Sequence, residues 1–74
     1  MPSRKAKRIA DAAEMIVDGY AVLRDELGFK VVNLNSGHVV IVSPKFKVLA
    51  SSMDAIEEKI AIHNLTDNLE FLAA

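Results

Sequence analysis

The chain has 74 residues, of which 51% are hydrophobic and 5% aromatic, with no cysteine and a formal net charge of −1. Such a length predicts one small domain, residues 1–74, with a limited core. The absence of cysteine excludes a disulfide framework and a thiolate metal site. No apolar run approaches the ~20 residues of a membrane span and no signal-peptide centre is present, so we expect a cytoplasmic protein with no membrane contact.

The charge is unevenly distributed along the chain. Residues 9–74 carry five of the nine Lys and Arg and all ten Asp and Glu. The other four cations form a basic N-terminal arm in residues 1–8: Arg4, Lys5, Lys7 and Arg8. Such an arm can bind a phosphate backbone, although four charges are also typical of a solvated helix start.

A long first helix is predicted from residue 3 or 4 to residue 27. Apolar residues recur there at alternating steps of three and four, which is the helical period. They are Ala6, Ile9, Ala13, Ile16, Tyr20, Leu23 and Leu27. We expect Ser3 to cap this helix and Gly28 to end it in a left-handed conformation, while Gly19 in the interior costs roughly 1 kcal/mol. The stripe should pack on the protein's own sheet, with a coiled coil between two chains as the alternative.

Residues 28–50 are predicted to form a three-stranded antiparallel meander, because Val, Ile and Phe dominate them. Residues 29–34 should pair with residues 38–42 through Asn35-Ser36-Gly37, a loop in which Gly37 takes a left-handed conformation. The second strand is apolar on both faces, which predicts either a central strand covered on both sides or a strand that takes part in an intermolecular contact.

The third strand follows Pro44 and alternates in character. Its apolar residues are Phe46, Val48 and Ala50, and its opposite face carries Lys45 and Lys47. Lysines on an outer strand protect it from edge pairing, and contact with phosphates is the alternative function for the pair.

A second helix should begin after Ser51 and Ser52, with Ile56, Ile60 and His63 on its apolar edge and Glu57, Glu58 and Lys59 facing water. Beyond Asn64 the pattern fits either a continuous helix through residue 72 or a new start at Thr66. The apolar C-terminus should dock on the core or on a second subunit. The predicted fold is therefore α+β with the order αβββα.

Few residues can perform acid–base or nucleophilic chemistry. The two histidines, His38 and His63, lie far apart without a cysteine, so we expect neither a metal nor a cofactor. His63 is expected to be structural. His38 opens the second strand directly after the turn glycine, where a side chain is both fixed and exposed.

The order helix, three strands, helix, with Gly28-Phe29 leading into a strand and Ser36-Gly37-His38-Val39-Val40-Ile41 after the turn, resembles the HicA-type messenger-RNA interferases. The resemblance covers roughly residues 22–62. Those proteins are small toxins with a double-stranded-RNA-binding-like fold and a histidine in the corresponding place. The resemblance implies Gly37 as the turn residue and His38 as a catalytic residue.

Three functions follow from these patterns as hypotheses. The first is a non-enzymatic module that acts by protein–protein contact, such as a regulator or inhibitor encoded by a mobile element. A homodimer is expected because the apolar surface exceeds what one small sheet can cover. The second is a HicA-like RNA-binding domain or endoribonuclease that uses His38 with Lys45, Lys47 and the basic arm. The third is DNA binding through the arm alone.

Overall fold

The computed structural model describes residues 13–68. These residues form a five-stranded antiparallel sheet followed by one helix. The elements are β1 (Met15–Val17), β2 (Tyr20–Asp25), β3 (Gly28–Asn33), β4 (Val39–Val42), β5 (Val48–Ser51) and α1 (Ala55–Asp67). The strands lie side by side in chain order, so β1 and β5 are the two edges.

The predicted αβββα order and its three-stranded meander are wrong, because residues 15–25 form two strands where a helix was expected. β1 pairs with β2 in a hairpin that places Met15 opposite Val22 and Val17 opposite Tyr20. Its two-residue loop is Asp18-Gly19, and both residues have positive φ, 52° and 79°. Such a pair is typical of a type I′ turn, whose twist matches that of the flanking strands. The part of the predicted helix in residues 3–12 lies outside the described residues.

Gly28 does not end a helix but opens β3 opposite Asp25. Its φ is 147°. A Cβ on this residue would overlap the carbonyl oxygen of Val42 and lie 2.8 Å from the carbonyl carbon of Ser43. Glycine is therefore required at Gly28 by a close backbone approach, and not by a helix end.

The predicted hairpin between residues 29–34 and residues 38–42 is confirmed. β3 pairs with β4 so that Val32 lies opposite Val39, and Gly37 in the connecting loop has a φ of 80°. This second predicted strand has a neighbour on each side, since β4 lies between β3 and β5, although β3 is the middle strand of the five. Val40 and Val42 of β4 are buried, whereas Val39 and Ile41 are half-buried.

The main core cluster lies between one face of the sheet and α1, while Ala21 and Val32, which pair with each other in the ladder, are buried on the opposite face. The buried apolar residues of the main cluster are Tyr20, Val22, Val31, Val40, Val42, Met53, Ala61 and Leu65. The predicted apolar edge of the helix is wrong: Ile56 is 73% exposed, while Ala61, Asn64 and Leu65 are buried. α1 continues past Asn64 to Asp67 without a new start at Thr66. Residues 69–72 are outside the described part.

Asp54 caps α1, instead of Ser51 or Ser52. Its side chain accepts a hydrogen bond from the backbone N–H of Glu57 at 2.8 Å. Glu57 reaches back toward the backbone N–H of Asp54, which completes a capping box. The start of the helix is thereby fixed, and the Glu57 side chain is held beside the β3–β4 loop.

Candidate functional site

A cluster of polar side chains joins the β3–β4 loop to the start of α1. Asn33, Ser36, His38, Asp54 and Glu57 form it, and we call it the Glu57 cluster. Oε2 of Glu57 accepts hydrogen bonds from Nδ2 of Asn33 and from Oγ of Ser36, each at 2.9 Å. Oε1 of Glu57 lies 2.8 Å from Nδ1 of His38. One carboxylate thus holds three residues of the hairpin.

Local hydrogen bonds shape the loop that presents these donors. Oδ1 of Asn33 accepts from the backbone N–H of Asn35 at 2.9 Å and from that of Ser36 at 3.3 Å. Oγ of Ser36 accepts from the backbone N–H of His38 at 3.1 Å. Asn and Ser side chains that bond the backbone two or three residues onward are typical of tight turns. The loop is therefore rigid before it meets Glu57.

Electrostatics in the cluster favour an ionised Glu57. The hydrogen bond from His38 lowers the pKa of this carboxyl most, and those from Ser36, Asn33 and the Asp54 backbone lower it further. Partial burial acts in the opposite direction, yet the pKa falls from 4.5 to about 2. Burial raises the pKa of Tyr20, and the negative charges of Glu57 and Asp54 raise it further. Both effects indicate an anionic centre beside the core.

The chemistry open to the cluster is limited because the acceptor atoms of Glu57 are already occupied. Glu57 is 14% exposed and already accepts three side-chain hydrogen bonds. The Ser36 hydroxyl donates to Glu57 and not to His38, so Ser36 and His38 do not form a nucleophile–base pair. His38 is 49% exposed, which leaves its Nε2 side toward solvent. The arrangement is typical of a structural contact that fixes a hairpin to a helix.

The structure separates His38 from the cations expected to assist it. His38 precedes β4, whereas Lys45 and Lys47 lie in the loop after β4. A four-residue strand spans roughly 13 Å, so the three side chains do not converge on one site. His63 contacts Asp67 at 3.0 Å on the exposed side of α1, so it does not lie on the apolar edge where it was expected. The arm residues Arg4, Lys5, Lys7 and Arg8 lie outside the described residues.

Lys45 and Lys47 lie in the β4–β5 loop and not on the outer strand where they were predicted. Their backbone N–H groups bond Oγ of Ser43 at 3.3 and 3.1 Å, which closes the β4–β5 loop before the strand begins. β5 itself reads Val-Leu-Ala-Ser, carries no charge, and is exposed along all four residues. Beside it, Val39, Ile41, Ala50, Ser51 and Ser52 line an open depression. We call the strand and this depression the β5 edge.

The backbone of β5 directs hydrogen-bonding groups outward. The N–H of Ser52 donates to the carbonyl of Val39 at 2.8 Å, and Ser51 pairs with Val40. Because hydrogen-bonded and non-hydrogen-bonded pairs alternate in antiparallel sheets, the N–H and C=O of Ser51 point away from β4. Among residues 13–68, no strand lies on that side of β5.

Sequence reasoning missed most of the Glu57 cluster, placing Glu57 on the solvent face of the helix. The Asp54-x-x-Glu57 spacing is the signal for the capping box. Within residues 13–68, no group of three His, Cys, Asp or Glu side chains is arranged to bind a metal. The described helix is too short and too polar to cross a membrane.

The chain was compared with known proteins over its whole length. The order of elements on which the HicA resemblance rested differs from the observed order, and the resemblance itself stays a prediction. Neither the curated proteins nor the solved structures contain a match to this chain. A family of unknown function, DUF7723, matches residues 3–72. Since this match covers nearly all of the chain, the protein belongs to the DUF7723 family.

Proposed function

We propose that this protein is a non-enzymatic binding module that pairs the β5 edge with an extended segment of a partner protein. The observation that carries the proposal is the exposure of all four residues of an uncharged edge strand. An unpaired strand edge is a template for a further strand, and natural sheets usually block it with charges, proline or a covering element. β5 has neither a charge nor a proline.

Backbone groups supply the affinity in this mode of recognition. The outward N–H and C=O of Ser51 are placed to bond an added strand, as the ladder geometry with Val39 and Val40 requires. The sheet irregularity in the β4–β5 pair falls at the Val48 end. The Ala50–Ser51 end keeps a regular ladder and is the better place for a partner strand to begin.

Side chains beside the strand supply specificity. In an added strand, alternate side chains point to the same face of the sheet. The depression lined by Val39, Ile41 and Ala50 lies on such a face and is mainly apolar. A partner segment with small or aliphatic residues at alternate positions matches this surface.

The polar cluster supports the same interpretation. The acceptors of Glu57 are occupied by the protein's own donors, and His38 lies at the opposite end of β4 from Lys45 and Lys47. An RNA-cleaving site would need His38 and phosphate-binding cations within reach of one nucleotide. A cytoplasmic location and a regulatory or inhibitory role, both inferred from composition and size, remain predictions that suit such a module.

Peptide selection against the full-length chain tests the proposal. A random-peptide library displayed on phage is selected on the immobilised protein, and the winning peptides are titrated into isotope-labelled protein by NMR. We expect the amide shifts of residues 48–51 to change most. Ser51→Pro removes the outward N–H and should weaken binding about tenfold or more, because proline also blocks the approach of a strand.

Ser51→Ala is the matched control. Both substitutions remove the hydrogen bond from the Met53 N–H to Oγ of Ser51, but alanine keeps its backbone N–H. Peptides should therefore bind Ser51→Ala about as well as the unaltered chain. Peptides that shift the Glu57 cluster or α1 instead, or that bind Ser51→Pro without loss, would refute edge pairing.

A further inference from the structure

The partner of the β5 edge need not be a different protein. We propose that it is a second copy of this chain, docked antiparallel across a two-fold axis that passes beside Ala50. This inference rests on the proposed function, since it names the occupant of the same edge. It is carried by the distribution of charge at the two ends of β5 and by the direction of the Ser51 backbone.

The direction of the backbone groups limits the registers that are possible. In an antiparallel pair, two outward-pointing residues must face each other to exchange both hydrogen bonds. Ser51 points outward, and two residues earlier lies Leu49, which the β-bulge between Ala50 and Val48 leaves unpaired with β4. A two-fold axis at Ala50 places Ser51 opposite Leu49 of the second copy and Ala50 opposite itself. The small Ala50 side chain allows the close approach of such a non-hydrogen-bonded pair.

Charge at the two ends of the strand favours the antiparallel direction. The loop before β5 carries Lys45 and Lys47, and both are exposed. The segment after β5 leads to the exposed Asp54. Antiparallel pairing brings the basic loop of each copy beside Asp54 of the other. Parallel pairing would set the lysines of both copies together, so like charges disfavour that alternative.

The apolar surface is continuous across the same axis. Ala50 and Ile41 face one another in the ladder and both line the depression. Pairing at Ala50 joins the depressions of the two copies into one continuous apolar surface. Part of each depression is then covered by the other copy. Each copy uses the same patch, so the contact forms a closed dimer. The described strands of the two copies then form one ten-stranded sheet, in which neither β5 strand is an edge.

Four residues a side form a small interface, so the dimer should be weak. Interfaces at the low end of the size range associate only at high protein concentration. Sedimentation equilibrium of the full-length chain is therefore measured up to about 1 mM protein. We expect the weight-average mass to rise toward twice that of the monomer, and Ser51→Pro to remove this rise while Ser51→Ala retains it.

Salt dependence distinguishes this geometry from other edge contacts. Cross-pairs of Lys and Asp are screened by salt, so added NaCl should weaken the dimer of the unaltered chain. Lys45→Glu together with Lys47→Glu sets acidic groups against Asp54 and should weaken it about tenfold at low salt. Salt should then strengthen the dimer of this variant, whereas it should not restore that of Ser51→Pro.

An isotope-filtered NMR experiment on a mixture of labelled and unlabelled chains locates the contact. We expect a cross-peak between the Hα atoms of Ala50 in the two copies. A dimer that persists in Ser51→Pro, or one without this cross-peak, would overturn the inference. A chain that stays monomeric while Ser51-dependent peptides still bind would overturn the second copy as partner but leave edge pairing standing. Failure of both self-association and peptide binding would reject both proposals.

Discussion

The close approach at Gly28 gives the sharpest test of the fold. A Cβ added there would overlap the carbonyl oxygen of Val42 and lie 2.8 Å from the carbonyl carbon of Ser43 and 3.0 Å from the nitrogen of Pro44. All three are backbone atoms, so no side-chain rotation can relieve the contact. Gly28→Ala therefore has to separate the start of β3 from the end of β4.

The expected loss can be estimated from two contributions. A non-glycine residue in a sparsely populated backbone region costs about 1–3 kcal/mol, and overpacking costs about 1–3 kcal/mol more. Gly28→Ala should therefore lower the free energy of unfolding by roughly 2–6 kcal/mol. That loss is a large part of the total stability of a small domain, for which about 5 kcal/mol is typical.

Gly37→Ala is the matched control for Gly28→Ala. Gly37 also has a positive φ, 80°, but an added Cβ would meet nothing within 4 Å. It should therefore cost only the conformational penalty, about 1–2 kcal/mol. Urea unfolding of the full-length proteins, followed by circular dichroism, measures both. Equal losses in the two variants, or a stable Gly28→Ala protein, would refute the close approach.

Two further predictions concern buried or paired polar groups. Since the pKa of Glu57 is lowered from 4.5 to about 2, its ionised form stabilises the fold above about pH 4.5, and this contribution is lost as the pH falls through about 2. Urea midpoints should drop more steeply between these pH values for the unaltered chain than for Glu57→Gln; parallel curves would contradict the cluster. Nδ2 of Asn64 is buried and has no hydrogen-bond partner in the part of the chain that the structure describes, so Asn64→Leu should raise the free energy of unfolding by about 1–2 kcal/mol. An unchanged or lower thermal midpoint would contradict that reasoning.

The β3–β4 hairpin could be predicted from the sequence because its signals are local. Turn residues ending in Gly37 separate two short runs rich in Val and Ile, and the loop length selects the turn. The β1–β2 hairpin was missed because the apolar positions of residues 13–27 fit a helical period as well as a period of two. Leu27, counted in the helical stripe, is 59% exposed. The Asp18-Gly19 pair between apolar runs was the stronger signal.

The Glu57 cluster could be predicted only in part. The spacing of Asp54 and Glu57 indicates a capping box, which depends on two residues three positions apart. The donors Asn33, Ser36 and His38 are about twenty residues away in sequence. Their approach depends on where the helix lies on the sheet, and that is decided by which face of α1 is buried. The sequence pattern favoured Ile56 and Ile60 for that face, and the structure uses Ala61 and Leu65.

The geometry of one helix on five strands explains why residues 13–68 leave β5 uncovered. Strands lie about 4.8 Å apart, so five strands span about 19 Å, whereas a helix with its side chains is about 10 Å wide. α1 lies closest to β3, and it is held there by Ala61 and Leu65 in the core and by Glu57 on the hairpin loop. A helix anchored at the centre of the sheet cannot also cover its edges. Among residues 13–68, β5 is therefore left with outward backbone groups and exposed, uncharged side chains, which is the surface that the proposed pairing uses.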